Sequence, residues 1–234
     1  MATLAATPAL AIVGGESGGA REAHSVMVLK RAGRAAGFCS GVVLSDRLVL
    51  TAAHCVADAS ETRVHFRDAQ GGPVLIGVDR ISVHPLYRAG AERTRERSVD
   101  LAILRTTNAL PSRFSPASLS ARGAVQTGER VVVAGYGVTR ENAAETSGVF
   151  RAAALAVRAP LSSLLVWAEG ANGVAAGACT GDSGGPMLEA SGAVIAVTAW
   201  SAGQGRRGCG GLTQGILVAP QRGWIDRVSA EMTR

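Results

Sequence analysis

The sequence predicts an all-β protein, a barrel or a sandwich, closed by one C-terminal helix. Short apolar or alternating runs recur along the 234 residues, Gly, Pro, Ser or Asp punctuates nearly every gap between them, and only one stretch carries helical spacing. The runs before the middle of the chain are 25–29, 41–44, 47–51, 63–66, 74–78, 80–83 and 100–104. Those after it are 130–134, 150–157, 164–167, 193–200 and 215–218. Between them, 106–123 shifts to Pro, Ser, Asn and Arg, a surface connection that divides the strands into two sets. The expected division is 1–11 as a leader or propeptide remnant, 12–115 as the first half and 116–234 as the second. The helix follows Pro220, where Trp224, Ile225, Val228 and Met232 form one apolar stripe.

Composition narrows the function classes. Hydrophobic residues are 47% of the chain and aromatics 4%, so the core rests on Val, Leu, Ile and Ala. The formal charge of +6 is carried by arginines scattered along the chain, Lys30 being the only lysine. No stretch interleaves basic and aromatic residues as a nucleic-acid platform does, so no nucleic-acid partner is expected. No apolar run approaches the roughly 20 residues of a membrane span, and no membrane partner is expected. Cys39, Cys55, Cys179 and Cys209 show no CxxC spacing and read as two structural disulfides formed in an oxidising compartment, with three pairings open. Residues 1–11 are uncharged and end Pro8-Ala9-Leu10-Ala11, a small-x-small pattern that suits a signal peptidase. Such a start is either a signal or propeptide remnant or an unstructured terminus.

The segment Cys179-Thr180-Gly181-Asp182-Ser183-Gly184-Gly185-Pro186 carries the strongest chemical signal. An acyl-transfer nucleophile must present its hydroxyl on an exposed turn while backbone N–H groups converge on the carbonyl oxygen that becomes negative, and glycine permits both. The same residues satisfy the G-x-S-x-G elbow of α/β-hydrolases, whose histidine follows the serine. Here His24, His54, His65 and His84 all precede Ser183, which excludes that reading. His54, in Thr51-Ala52-Ala53-His54-Cys55, is suited to take the serine proton. Asp100, a lone acid heading an apolar run, is the group that would orient the imidazole and stabilise its cation.

The chain resembles the trypsin/chymotrypsin family from Ile12 to about Arg227. The matching segments, in the family's order, are Ile12-Val13-Gly14-Gly15, Thr51-Ala52-Ala53-His54-Cys55, Val83-His84-Pro85, Asp100-Leu101-Ala102-Ile103-Leu104, Gly135-Tyr136-Gly137 and Gly181-Asp182-Ser183-Gly184-Gly185-Pro186. The resemblance implies two antiparallel six-stranded Greek-key barrels with the triad His54, Asp100 and Ser183 at their junction, and an oxyanion hole from the N–H groups of Gly181 and Ser183. It implies the disulfides Cys39–Cys55 and Cys179–Cys209. It implies a zymogen in which a freed Ile12 α-amino group pairs with Asp182. A secreted or periplasmic, monomeric enzyme acting on proteins or peptides is expected, one open to protein protease inhibitors and needing no cofactor or metal.

The resemblance also ranks the remaining residues. His84 falls in a structural segment, and His24 and His65 lack any adjoining acid or nucleophile pattern. Gly135-Tyr136-Gly137 reads as a strand turn rather than a phosphate loop. The segment 67–72 lacks the paired glutamates of the family's calcium loop. Spacing back from Ser183 puts Gly177 and Ala178 at the base of the specificity pocket, with no acid to select Lys or Arg. Thr198, Ala199 and Trp200 form its wall in a run that departs from the family's Ser-Trp-Gly, through an extra residue or a shifted register. Small to medium apolar side chains are therefore expected, and Arg206 and Arg207 offer the competing expectation of a glutamyl preference.

Overall fold

A computed structural model describes residues 12–33, 35–94, 96–203 and 208–234. The leader expected at 1–11 and the arginines Arg206 and Arg207 lie outside the described residues. The described strands, in chain order, are β1 (Glu16–Ser17), β2 (Ser25–Ala32), β3 (Ala35–Val43), β4 (Leu48–Thr51), β5 (Thr62–Arg67), β6 (Pro73–Val83) and β7 (Ala102–Thr106). They continue with β8 (Arg130–Gly135), β9 (Arg151–Arg158), β10 (Leu165–Glu169), β11 (Pro186–Leu188), β12 (Val194–Ser201) and β13 (Thr213–Leu217). A short helix α1 (Ala91–Thr94) precedes β7, and the terminal helix is α2 (Arg222–Met232).

Two closed antiparallel barrels result. The first runs β2-β3-β4-β7-β6-β5, and the second runs β8-β9-β10-β13-β12-β11 and closes through β8 and β11. β1 adds to the second barrel along β9, with Glu16 opposite Ala152 and Ser17 opposite Arg151. The N-terminal segment thus crosses from the first half of the sequence to the second half of the structure. The runs 74–78 and 80–83, read separately from sequence, are one strand. A register shift between Val78 and Arg80 bulges the chain at Asp79, whose carboxylate accepts from Arg105 Nε at 2.8 Å. β1 and β11 escaped the sequence reading because one is two residues long and the other is fused to the glycine-rich segment before it.

Alternation along the strands fills each interior with aliphatic side chains. Val26, Val28, Val43, Val49, Val64 and Leu104 fill the first barrel, and Val131, Val133, Leu155, Val166, Ile195 and Leu217 fill the second. A third cluster lies between the barrels. Leu50, Leu101 and Ile103 of the first half meet Val197 and Ile216 of the second, and the α2 stripe of Trp224, Ile225, Val228 and Met232 closes over them. Each such buried side chain contributes about 1.5–3 kcal/mol. Arg80 and Arg105, from β6 and β7, donate to the Glu231 and Met232 carbonyls at 3.1 and 3.0 Å, satisfying acceptors that the end of a helix leaves unpaired. The helix therefore packs on residues of both barrels and is tied at its end to the first.

Candidate active site

His54 sits in a 3-10 turn (Ala53–Cys55) directly after β4, and the turn is pinned to β3 by the Cys39–Cys55 disulfide. Asp100 lies two residues before β7, the strand paired with β4. Its Oδ2 is 2.6 Å from His54 Nδ1, and its Oδ1 accepts from the His54 backbone N–H at 2.9 Å. A carboxylate can only accept, so Nδ1 carries the ring proton and Nε2 is left as the basic nitrogen. Lys30 Nζ, reaching from β2, donates to the His54 carbonyl. Side chain and backbone of the histidine are thus held from three directions. Cys39, Cys55 and His54 also lie close enough together to suggest a metal cluster, but the disulfide consumes both thiols and leaves a single ligand.

Ser183 lies on the other barrel, in a loop tied down by the Cys179–Cys209 disulfide. The Thr180 carbonyl accepts from Val138 N–H at 2.9 Å, and the Asp182 carbonyl accepts from Gly185 N–H at 3.0 Å. A trans peptide points its N–H opposite its C=O, so these bonds turn the N–H groups of Gly181 and Ser183 the other way. Glycine is required at two positions here. Gly181 has φ +97° and a Cβ there would lie 2.0 Å from the Phe38 ring, while Gly184 has φ +83° and its Cβ would lie 2.1 Å from Thr51 Oγ1. That second approach brings the Ser183 loop against Thr51 and Ala52, just ahead of His54.

Ser40, which sequence reasoning passed over, joins the two halves. Its Oγ donates to the Gly181 carbonyl and accepts from Tyr136 N–H, both at 2.9 Å, and its own N–H donates to the Ser183 carbonyl at 2.8 Å. The signal available was its place beside Cys39, in the strand that the disulfide ties to the His54 turn.

Asp182 is completely buried, and burial pushes its carboxyl up to about 7. It accepts from Gly137 N–H at 2.8 Å and from Cys179 N–H at 2.9 Å. Gly135 and Gly137 leave the space it fills, since a Cβ on either would lie 2.5 Å from the carboxylate. The Gly-Tyr-Gly segment is therefore the end of β8 and a cradle for Asp182. Ile12 is fully buried among Val125, Val131, Ala153 and Ala176, and Val13 exchanges two backbone hydrogen bonds of 3.1 Å with Gly177.

The Trypsin family model matches residues 12–225. The chain belongs to the trypsin family. It is 31% identical to "Trypsin 5G1" of Aedes aegypti over 82% of this chain and 75% of that protein. It is 34% identical to "Serine protease 7" of Drosophila melanogaster over 43% of this chain and 31% of that one. In fold it resembles neuropsin of mouse brain, with a TM-score of 0.73 and 22% identity over 93% of this chain and all of the other. It also resembles a scabies mite inactivated protease paralogue, with a TM-score of 0.72 and 24% identity over 93% of this chain and 99% of that one. This trypsin-family member is a serine endopeptidase of the trypsin type.

The cleft of this trypsin-family chain measures about 990 Å³ and is lined by His54, Asp100, Trp167, Ala199, Trp200 and Gln214 among others. At the expected pocket base, Ala178 N–H donates to Thr213 Oγ1 at 2.9 Å, and a Cβ on Gly177 would lie 2.9 Å from the same hydroxyl. Thr213, buried on β13 opposite Ser201, was missed because the run read from sequence, 215–218, begins two residues after it. β12 and β13 shift register between Thr198 and Trp200, so the departure seen in this run is a bulge at Ala199. Thr198 is buried and its backbone holds Gly184 and Gly185, whereas Trp200 stands out into the cleft. The other histidines have local duties. His24 and His65 Nδ1 lie 2.8 Å from the Ser115 and Val74 carbonyls, and His84, held below its usual range by burial, packs edge-on against Trp224.

Proposed function

We propose that the chain hydrolyses peptide bonds of proteins and peptides through an acyl-enzyme formed on Ser183. Ser183 Oγ attacks the scissile carbonyl carbon and its proton passes to His54 Nε2. The oxyanion is held by the Gly181 and Ser183 N–H groups, and His54 then gives the proton to the leaving amine. Water enters, loses a proton to His54, and releases the acid product. Asp100 keeps Nδ1 protonated and stabilises the imidazolium. The observation that carries this reading is the pair of bonds from Asp100 to the ring and the backbone of His54. A family fold alone does not, because an inactivated paralogue shares it.

The same reading extends to activation and specificity. Cleavage between Ala11 and Ile12 would free an α-amino group, unperturbed pKa near 8, that can pair with Asp182 and raise activity. The base formed by Gly177, Ala178 and Thr213 offers no charge, so uncharged, small to medium apolar side chains are preferred before the cleaved bond. The enzyme works as a secreted or periplasmic monomer subject to protein inhibitors, with its two half-domains meeting near residue 115. Treating protein that begins at Ile12 with a radiolabelled sulfonyl fluoride tests the core of this reading. Label on the Ser183 peptide, absent in Ser183→Ala, is expected. Undiminished labelling of that variant, or no turnover of a peptide library, would place the chain among silent binding members instead.

A further inference from the structure

Arg151 is an arginine where the barrel pattern calls for an apolar residue. Burial alternates along β9, and Arg151 falls on the inward register with Ala153, Leu155 and Val157. It is 7% exposed. Its Nη1 reaches the Thr146 and Val149 carbonyls at 3.2 and 3.3 Å, but its buried Nε has no hydrogen-bond partner. No carboxylate among the described residues forms an ion pair with it at contact distance.

The fold directs this cation toward one place. Arg151 is the direct cross-strand partner of Gly135. Cross-strand partners project to the same face of a sheet, with Cβ positions about 5 Å apart. On that face, Gly135 has no side chain, and the space its Cβ would occupy lies 2.5 Å from Asp182 Oδ1. A fully buried carboxylate thus hangs over the one position in β8 that faces an arginine. Its two hydrogen-bond donors, Gly137 N–H and Cys179 N–H, are neutral. Among the described ionisable groups Arg151 is the one whose charge bears on Asp182, favouring its ionised form. The effect is mutual, since Asp182 offsets the burial that lowers the arginine. Ser17 of β1 is the cross-strand partner of Arg151 on the other edge of β9, so the N-terminal segment runs alongside this arginine.

We propose that Arg151 is the internal counter-cation of Asp182 while Ile12 is still peptide-bonded to Ala11, and so a positioning residue that keeps the Gly181–Ser183 turn formed before cleavage. The inference rests on the protease reading above and sets its regulation. In the uncut chain Ile12 has no charged amino group to offer, and removal of one partner of a buried pair is severe. With Arg151 in place, the uncut chain keeps a basal activity that cleavage at Ile12 then raises.

Two forms, an intact chain from Met1 and a chain from Ile12, each verified by mass spectrometry, test this with Arg151→Met and Arg151→Lys. In the Met1 form assayed at about pH 8.5, where Asp182 is ionised, Arg151→Met is expected to lower kcat/KM by about 100-fold or more, with Arg151→Lys restoring most of the loss. In the Ile12 form, where the α-amino group supplies a cation, the same Met substitution is expected to cost less than about 5-fold. Equal losses in both forms, or no loss in the Met1 form, would overturn the proposal. Thermal unfolding of the Met1 form provides a readout that does not depend on turnover. Arg151→Met should lower Tm by about 5 °C or more, and by about 1 °C or less when combined with Asp182→Asn. An equal drop in both backgrounds would reduce Arg151 to a packing residue. If the wild-type Ile12 form shows no turnover dependent on Ser183, the protease reading fails, and the unfolding cycle still decides the Arg151–Asp182 pair.

Discussion

Asp100 lines the cleft and Asp182 is buried next to Ser183, so the two acids answer to different surroundings. Asp100 is half-buried against His54, and Asp100→Asn would keep the shape of the group while offering an amide to Nδ1. The ring then holds the wrong tautomer, and kcat should fall by about 10⁴-fold with KM little changed, as steady-state kinetics on a peptide ester would record. Asp182 is sealed from water, with its carboxyl at about 7 against 3.8 in an exposed peptide. The native state therefore holds this proton between about pH 4 and 7, where the unfolded chain has lost it. Stability from this group is complete below the lower value and is lost as pH rises through the upper one. In the chain from Met1, ΔG of unfolding should fall across that window with a slope of up to about 1.4 kcal/mol per pH unit from Asp182 alone. Denaturant unfolding at a series of pH values measures this, and a slope unaltered by Asp182→Asn would contradict it.

At the scale of elements, the site depends on close approaches that a single methyl would prevent. A Cβ on Gly184 would lie 2.1 Å from Thr51 Oγ1 and 2.2 Å from the Ser40 carbonyl, on a backbone with φ +83°. Gly184→Ala should destabilise by about 3 kcal/mol, seen as a drop in Tm of roughly 6–12 °C, and should lower kcat by moving the loop away from the His54 turn. Gly223 in α2 is the contrasting position, because a Cβ there meets nothing within 4 Å. Gly223→Ala should raise stability by about 0.5–1 kcal/mol with unchanged kinetics. The disulfides act through the unfolded chain as well. Cys39→Ser with Cys55→Ser opens a loop of 16 residues and should cost about 3 kcal/mol, with kcat falling further because His54 adjoins the bond. Calorimetry and kinetics on the same sample separate the two effects.

For the whole molecule, the cleft exists because two barrels of different sequence share one apolar interface under α2. Trp224→Ala removes a ring buried among residues of both halves and should cost about 3–5 kcal/mol. The strain is expected to appear as a looser cleft, with KM raised for long peptides more than for short esters. A loss confined to Tm, with the ratio of those KM values constant, would show that the helix stabilises the barrels without setting their spacing.

What the sequence by itself determined is local or periodic. The strand runs follow alternation, the terminal helix follows its stripe at 224, 225, 228 and 232, and the glycine-flanked Ser183 stands out as the candidate nucleophile within eight residues. The order of His54, Asp100 and Ser183 excludes the hydrolase elbow without reference to space. Tertiary structure decided what depends on residues far apart in the chain. It paired Asp100 with His54, made Ser40 the link between the halves, gave Gly135 and Gly137 to Asp182, and put Thr213 beneath Ala178. An arginine on the inward register of β9 and a carboxylate after Gly181 are ordinary residues in sequence. They become one buried electrostatic unit only when antiparallel pairing sets Arg151 opposite Gly135, because the cost of burying a charge depends on what the fold brings beside it.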